Sequence, residues 1–171
     1  ASEKATGFDI AANYQTSLDT FEEGWLGDIS IGANITHAIS DIQDSGAPGV
    51  APIDTVGMNA TANPPRWKYQ MTMRYSLNAI SLGMTLRGVS EGKYNSNWIT
   101  CTTACPVSTA NNITTDLNSL PSAWYVDLNS SYSVTDNVVA YFNVKNLFNL
   151  DPPVYYPGPS GNAWQTIPAP L

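Results

Sequence analysis

Charge is scarce in this chain: Asp, Glu, Lys and Arg together make up 12% of the residues, about half of the roughly 25% usual in globular proteins. The 7 basic residues are scattered and outnumbered by 14 acids, for a formal net charge of −7. Nucleic acid is therefore excluded as a partner, because phosphate contacts need clustered Lys and Arg. There is 1 histidine, His37, and there are 2 cysteines, Cys101 and Cys105, too few for a zinc site built from four such ligands. No Ser-His-Asp set, G-x-S-x-G, HExxH or phosphate-cradling glycine loop occurs. Neither an enzymatic role nor a cofactor is expected. No apolar run approaches the ~18 residues of a membrane helix, but a membrane strand needs only ~9–11 alternating residues and is not excluded. Hydrophobic residues reach 43% and aromatics 11% of the 171 residues, enough for one ordered domain rather than a disordered chain.

Helical periodicity is nearly absent as well, and six segments alternate with a period of two instead. Residues 8–15 carry Phe8, Ile10, Ala12 and Tyr14 on one parity, with Asp9, Asn13 and Gln15 on the other. Residues 25–40 set Trp25, Ile29, Ile31, Ile35, His37 and Ile39 against Asp28, Ser30, Asn34, Thr36 and Ser40. The cleanest is 67–77, where Trp67, Tyr69, Met71, Met73, Tyr75 and Leu77 alternate with Lys68, Gln70, Thr72, Arg74 and Ser76. With 43% apolar residues scattered at random, that window would arise about 4 times in 10,000, so the period is a signal. Segments 80–90, 124–134 and 138–148 follow the same rule, the last turning irregular at Asn146-Leu147-Phe148. All six are predicted strands.

The links at 16–24, 78–79 and 135–137 are short, whereas 41–66 and 91–123 are long and rich in Gly, Pro, Asn, Ser and Thr. Loops that long are uncommon inside compact domains and are usually functional. Short links at one end and long loops at the other describe an antiparallel up-and-down meander with unlike ends, as in outer-membrane barrels. A soluble, secreted β-sandwich binding carbohydrate is the alternative, with Trp98 or Trp164 as stacking platform. The barrel is favoured because the polar face holds few of the Lys and Glu residues that soluble sheets display. Aromatics also sit at strand ends: Tyr14, Trp25, Tyr75 and Tyr132 beside short links, Trp67 and Trp124 beside long loops. Trp67 to Tyr75 and Trp124 to Tyr132 each span eight residues, ~20 Å along the membrane normal at ~3.3 Å per residue and ~40° tilt. That separation suits the aromatic girdles bounding an apolar band ~25 Å tall.

The run Asn143-Val144-Lys145-Asn146-Leu147-Phe148-Asn149-Leu150-Asp151-Pro152-Pro153 closely resembles the NLFD-x-DPP signature near the end of TonB-dependent receptors of bacterial outer membranes, with Asn149 in place of the commoner Asp. Trp124-Tyr125-Val126-Asp127-Leu128-Asn129-Ser130-Ser131-Tyr132 is similar to that family's D-L-x-x-x-Y strand. Asn63-Pro64-Pro65-Arg66-Trp67-Lys68 and Gly7-Phe8-Asp9-Ile10 resemble its P-x-W and G-x-D-L strand starts. The four stretches stand in family order across residues 7–153.

The resemblance implies active uptake of a scarce nutrient, a siderophore, vitamin or oligosaccharide, energised through TonB. Residues 1–171 are then expected to be a partial C-terminal barrel domain lacking the plug domain, the TonB-contacting N-terminal part and the final closing strand. Such an arc needs outer-membrane lipid on its apolar face and the rest of its barrel along both edges.

Cys101 and Cys105 lie in the longest loop, and in an exported chain a local disulfide is expected. Arg74 and Arg87, on the polar parity of adjacent strands, are the candidate lumen residues for an anionic ligand, although a partner such as Asp127, Glu91 or a plug carboxylate is the simpler expectation. His37 is expected to be an interfacial side chain. Asp41 and Asp44 lack the ligand spacing of a calcium loop.

Overall fold

Alternation dictates the architecture, because a strand with one apolar parity presents one apolar face. The computed structural model describes residues 1–60 and 62–152, and the backbone alone of Val154–Tyr155 and Gln165–Thr166. Its main strands are β1 (Ser2–Ser17), β2 (Asp28–Asp44), β4 (Trp67–Leu77), β5 (Ile80–Val89), β10 (Ala123–Thr135) and β11 (Val138–Val144). Short strands fill the long loops: β3 (Ile53–Asp54), β6 (Gly92–Lys93), β7 (Ile99–Thr100), β8 (Thr114–Thr115) and β9 (Ser119–Leu120). A last short pair is β12 (Val154–Tyr155) with β13 (Gln165–Thr166). The long strands form one antiparallel meander in the order β1-β2-β4-β5-β10-β11, with β3 added to the outer part of β2. The sheet is open, with β1 and β11 at its two ends.

All six predicted strands are present; β1 extends past 8–15 at both ends, β2 starts at Asp28 rather than Trp25 and runs on to Asp44, and β11 stops at Val144 rather than at 148. The register carries the apolar parity across the whole sheet. Tyr14, Ile31, Met73, Met84, Leu128 and Val144 lie in one row, and Ile10, Ile35, Tyr69, Gly88 and Trp124 in another. This face is bare: Ile10 is 51% exposed, Met71 44%, Leu82 48% and Phe142 65%. Val126 is the departure. It shares the apolar parity but is only 7% exposed, beside the turn in which Leu147 N–H donates to its carbonyl at 2.7 Å.

Among the described residues the buried apolar side chains are Val56, Met58, Leu120, Ala123, Tyr125 and Val126, all in the long loops or at the strand ends that meet them. Ala123 and Tyr125 belong to the polar parity, while Trp124 between them is 42% exposed. The loops therefore cover the loop end of the polar face and leave the apolar one open, the reverse of a sandwich. The sandwich alternative is corrected on that ground. Trp98 stacks on Tyr94 with centroids 6.1 Å apart, and Trp164 lies outside the described residues.

One irregularity redirects β2. The register jumps between Gly7↔Ala38 and Thr6↔Ser40, leaving Ile39 as the extra residue of a bulge. Past it the parity reverses, so Asp41 and Gln43 join the polar side opposite Ala5 and Glu3. Gly7 is required at that point, since a Cβ there would stand 2.6 Å from the His37 carbonyl oxygen.

Candidate functional site: the polar wall and the loop mouth

The polar parities of the six strands build a continuous wall. Ser30, Arg74, Gly83, Asn129 and Asn143 form one row, Gly32, Thr72, Thr85 and Asp127 the next, and Asn34, Gln70, Arg87 and Tyr125 a third. Arg87 and Asp127 sit on neighbouring strands one pair apart, so their side chains meet. The guanidinium Nε donates to Asp127 Oδ2 at 3.1 Å, and Nη2 reaches Oδ1 at 3.5 Å. The Arg87 guanidinium also lies 5.5 Å from the Tyr125 ring centre. Arg74 and Arg87 share the wall as expected, but only Arg87 takes an acidic partner. Arg74 is exposed and makes no ion pair among the described residues.

Asp127 has a second task that the sequence did not announce. Its Oδ1 accepts the backbone N–H of Asn146 at 2.8 Å. Asn146 stands at φ 53°, a left-handed conformation that Asn tolerates better than most residues. Its amide closes the turn in both directions, Nδ2 donating to the Leu150 carbonyl at 2.9 Å and Oδ1 accepting from Leu150 N–H at 3.0 Å. The Asn-Leu-Phe run is thus a turn clipped to β10, and Phe148 sits edge-on to Trp124 at 5.8 Å. The irregularity after residue 144 was the available signal.

At the loop end, Phe8, His37 and Trp67 come side by side from three strands. The His37 ring stacks on Trp67 at 3.9 Å, and Phe8 lies 5.2 Å from His37. His37 Nδ1 is 3.0 Å from the Arg66 carbonyl, which donates nothing, so that nitrogen carries the proton. His37 thus belongs to an aromatic cluster at the loop end of the sheet.

Above the wall, the two long loops are joined to each other. Lys93 N–H donates to the Gly57 carbonyl at 2.6 Å, and Ser96 Oγ to the Asp54 carbonyl at 2.6 Å. Buried Asn59 donates from Nδ2 to the Ser90 carbonyl at 2.9 Å. Buried Asn118 fixes the second loop from within, accepting from Asn95 N–H and donating to the Asn95 carbonyl. Between the loops and the strand ends lies a cleft of about 640 Å³, with Asp54, Arg66, Glu91, Lys93, Asp116 and Asn118 in its lining. It offers charges of both signs and several hydroxyls to a polar solute.

Asp41 and Asp44 do not converge. The bulge sends Asp41 inward, where Thr55 Oγ1 donates to its Oδ2 at 2.6 Å, and Asp44 Oδ1 accepts from Gly46 N–H at 2.8 Å in a local turn. Among the described residues no three metal-ligating side chains cluster. Cys101 and Cys105 are joined in a disulfide with Cα atoms 5.6 Å apart. It closes the root of an exposed loop tip, next to the Cys101 N–H bond to the Thr115 carbonyl at 2.9 Å. Pro153 and residues 156–164 and 167–171 lie outside the described residues, and so do the expectations that rest on them.

No curated protein and no solved structure matches the chain. Residues 1–147 match the family model described as TonB dependent receptor-like, beta-barrel. That family comprises transporters of the bacterial outer membrane rather than enzymes, and an open antiparallel meander is an arc of its barrel. By sheet, register and sequence match alike, this chain belongs to the TonB-dependent receptor β-barrel family.

Proposed function

We propose that the chain is the barrel wall of an outer-membrane transporter that takes up a scarce nutrient, a siderophore, vitamin or oligosaccharide, at the expense of energy relayed by TonB. Lipid covers the apolar face, a plug fills the space before the polar wall, and the joined loops form part of the mouth facing the exterior. The rest of the barrel pairs with β1 and β11, because an unpaired strand edge in hydrocarbon costs several kcal/mol per unsatisfied group.

The observation that carries this reading is the inverted burial at the loop end. Polar-parity Tyr125 is 3% exposed and its apolar-parity neighbour Trp124 is 42% exposed. A soluble sheet covers its apolar face to remove it from water. At the loop end the covered face is the polar one, which suits an apolar face held in lipid.

Density fractionation of the expressing bacterium should place the protein with the outer membrane, and accumulation of one nutrient among ferric chelates, cobalamin and oligosaccharides should require both the protein and a proton gradient. Recovery in the soluble periplasm, or unchanged uptake after deletion across such a panel, would contradict the proposal.

A further inference from the structure

The three turns at the short-link end are not alike. Residues 78–79 join β4 to β5 and residues 136–137 join β10 to β11, the two-residue links that suffice for a hairpin. Between β1 and β2 lie residues 18–27, and this longer turn is folded. Leu18 N–H closes its base by donating to the Gly27 carbonyl at 2.9 Å. Inside it, Phe21 N–H donates to the Leu18 carbonyl at 3.0 Å and Trp25 N–H to the Glu22 carbonyl at 3.1 Å. Gly24 and Gly27 supply the positive φ values that the path requires, 92° and 96°.

Water would drive the large apolar side chains of a folded turn inward. Here Phe21 is 60% exposed, Trp25 56% and Leu26 67%. The turn is tied to the apolar face of the sheet. Tyr75, on the apolar parity of β4, donates from its hydroxyl to the Leu26 carbonyl at 3.0 Å, and a Cβ on Gly27 would stand 2.6 Å from the Tyr75 ring. That tie runs from β2 toward β4, away from the open edge at β1, and on the side opposite the polar wall. Neither a further strand beside β1 nor a plug before the wall stands against it. The same turn carries Asp19, Glu22 and Glu23, all exposed and without an ion pair among the described residues. No Lys or Arg occurs between Lys4 and Arg66. The nearest by register, Arg74, is opposite Ser30 on the polar parity.

We infer that the β1–β2 turn docks on the phospholipid leaflet at the short-turn end, its apolar side chains at the roots of the acyl chains and Glu22 and Glu23 receiving a primary-amine headgroup. The inference rests on the membrane reading proposed above. An ethanolamine ammonium offers a carboxylate three N–H donors, as a lysine does. A choline headgroup carries the same positive charge and no donor, and an anionic headgroup is repelled. The arrangement reverses the usual one, in which basic segments gather anionic lipid. A cationic protein segment would also suit the charges, but the tie to Tyr75 makes the turn continuous with the face that lipid covers, where Trp and Tyr commonly sit at headgroup level.

The test uses the intact receptor in phosphatidylcholine vesicles, with a bimane label on Leu26→Cys as its single free thiol, Cys101 and Cys105 being joined. In the control the label stands on Ile80→Cys, beside the uncharged turn at 78–79. Phospholipids brominated high on the acyl chain, with ethanolamine, choline or glycerol heads, quench the label in proportion to their occupancy beside it. At ~0.01 M salt the Debye length is ~30 Å, and one unit charge ~6 Å away in water changes occupancy about threefold. At Leu26 the glycerol lipid should therefore fall about threefold below the choline lipid, and the ethanolamine lipid should exceed both. Glu22→Gln together with Glu23→Gln should bring the three to parity, as at Ile80. Equal occupancies at Leu26 with both glutamates present, or a preference for the glycerol lipid, would overturn the inference. So would quenching at Ile80 without quenching at Leu26, which would place the turn in water or against a protein and leave the membrane reading standing. No quenching at either label would overturn both.

Discussion

Replacing Met71 by arginine puts a charge at the centre of the apolar face. Met71 stands four residues from both Trp67 and Tyr75, so it lies ~10 Å along the membrane normal from either aromatic row at ~3.3 Å per residue and ~40° tilt. It is 44% exposed between Ala33 and Leu86, so little packing is lost and the cost is that of the charge in hydrocarbon. At mid-bilayer that cost is about 2–4 kcal/mol. Thr72→Arg is the control. Thr72 is the next residue, on the polar wall, opposite Gly32 and Thr85, and Gly32 has no side chain to obstruct a longer neighbour. There the cost should stay below about 1 kcal/mol, the range for a surface position. The gap of about 2–3 kcal/mol corresponds to roughly 30- to 150-fold in the folding equilibrium. Urea unfolding of the intact receptor in lipid vesicles, extrapolated linearly to water, measures it. Equal losses at the two positions would refute the assignment of faces.

Asp127→Ala removes the acceptor shared by Arg87 and Asn146, in a pair whose side chains are 18% and 21% exposed. The loss should be about 1.5–3 kcal/mol, and amide exchange at Asn146 and Leu147 should accelerate, whereas exchange confined to β5 would refute the clip. Asn59→Ala, at a side chain 8% exposed, should cost about 1–2 kcal/mol and raise hydrogen exchange in both long loops together; a change in the first loop alone would show that they are not coupled. Changing Cys101 and Cys105 both to Ser opens a ring closed across a sequence separation of 4, so exchange should rise between residues 101 and 115 and stay unchanged in the long strands. Loss of strand protection would contradict the confined role.

The fold was legible where one physical signal dominates. Period-two alternation located all six strands because each presents one apolar and one polar face, and Trp67–Leu77 was bounded to the residue. It faded in the outer parts of the strands. The outer thirds of β1 and β2 read as loop because no apolar parity survives past the bulge at Ile39, where the alternation itself reverses. Asp41 looked like an exposed loop acid for the same reason, and the structure turns it inward onto Thr55. The polar wall was visible as a parity, and with it Arg74 and Arg87. Which of the two would be neutralised depends on register, since Asp127 stands opposite Thr85 beside Arg87, and no periodicity reports register. The loop contacts were invisible because they run from side chains such as Asn59 and Asn118 to backbone carbonyls 31 and 20–23 residues away. The turn at Asn146 was announced as a motif, while its fastening to Asp127 was not.

The most direct test of the whole account is a spin-label scan along β4, from Tyr69 to Tyr75, in the intact receptor reconstituted in lipid. Each position in turn carries the label, and its collision rates with molecular oxygen and with a neutral water-soluble nickel chelate are measured. Oxygen contact is expected at Tyr69, Met71, Met73 and Tyr75, nickel contact at Gln70, Thr72 and Arg74, with a period of two and the profiles out of phase. Profiles in phase, or nickel contact on the methionine parity, would contradict a sheet whose apolar face lies in the membrane.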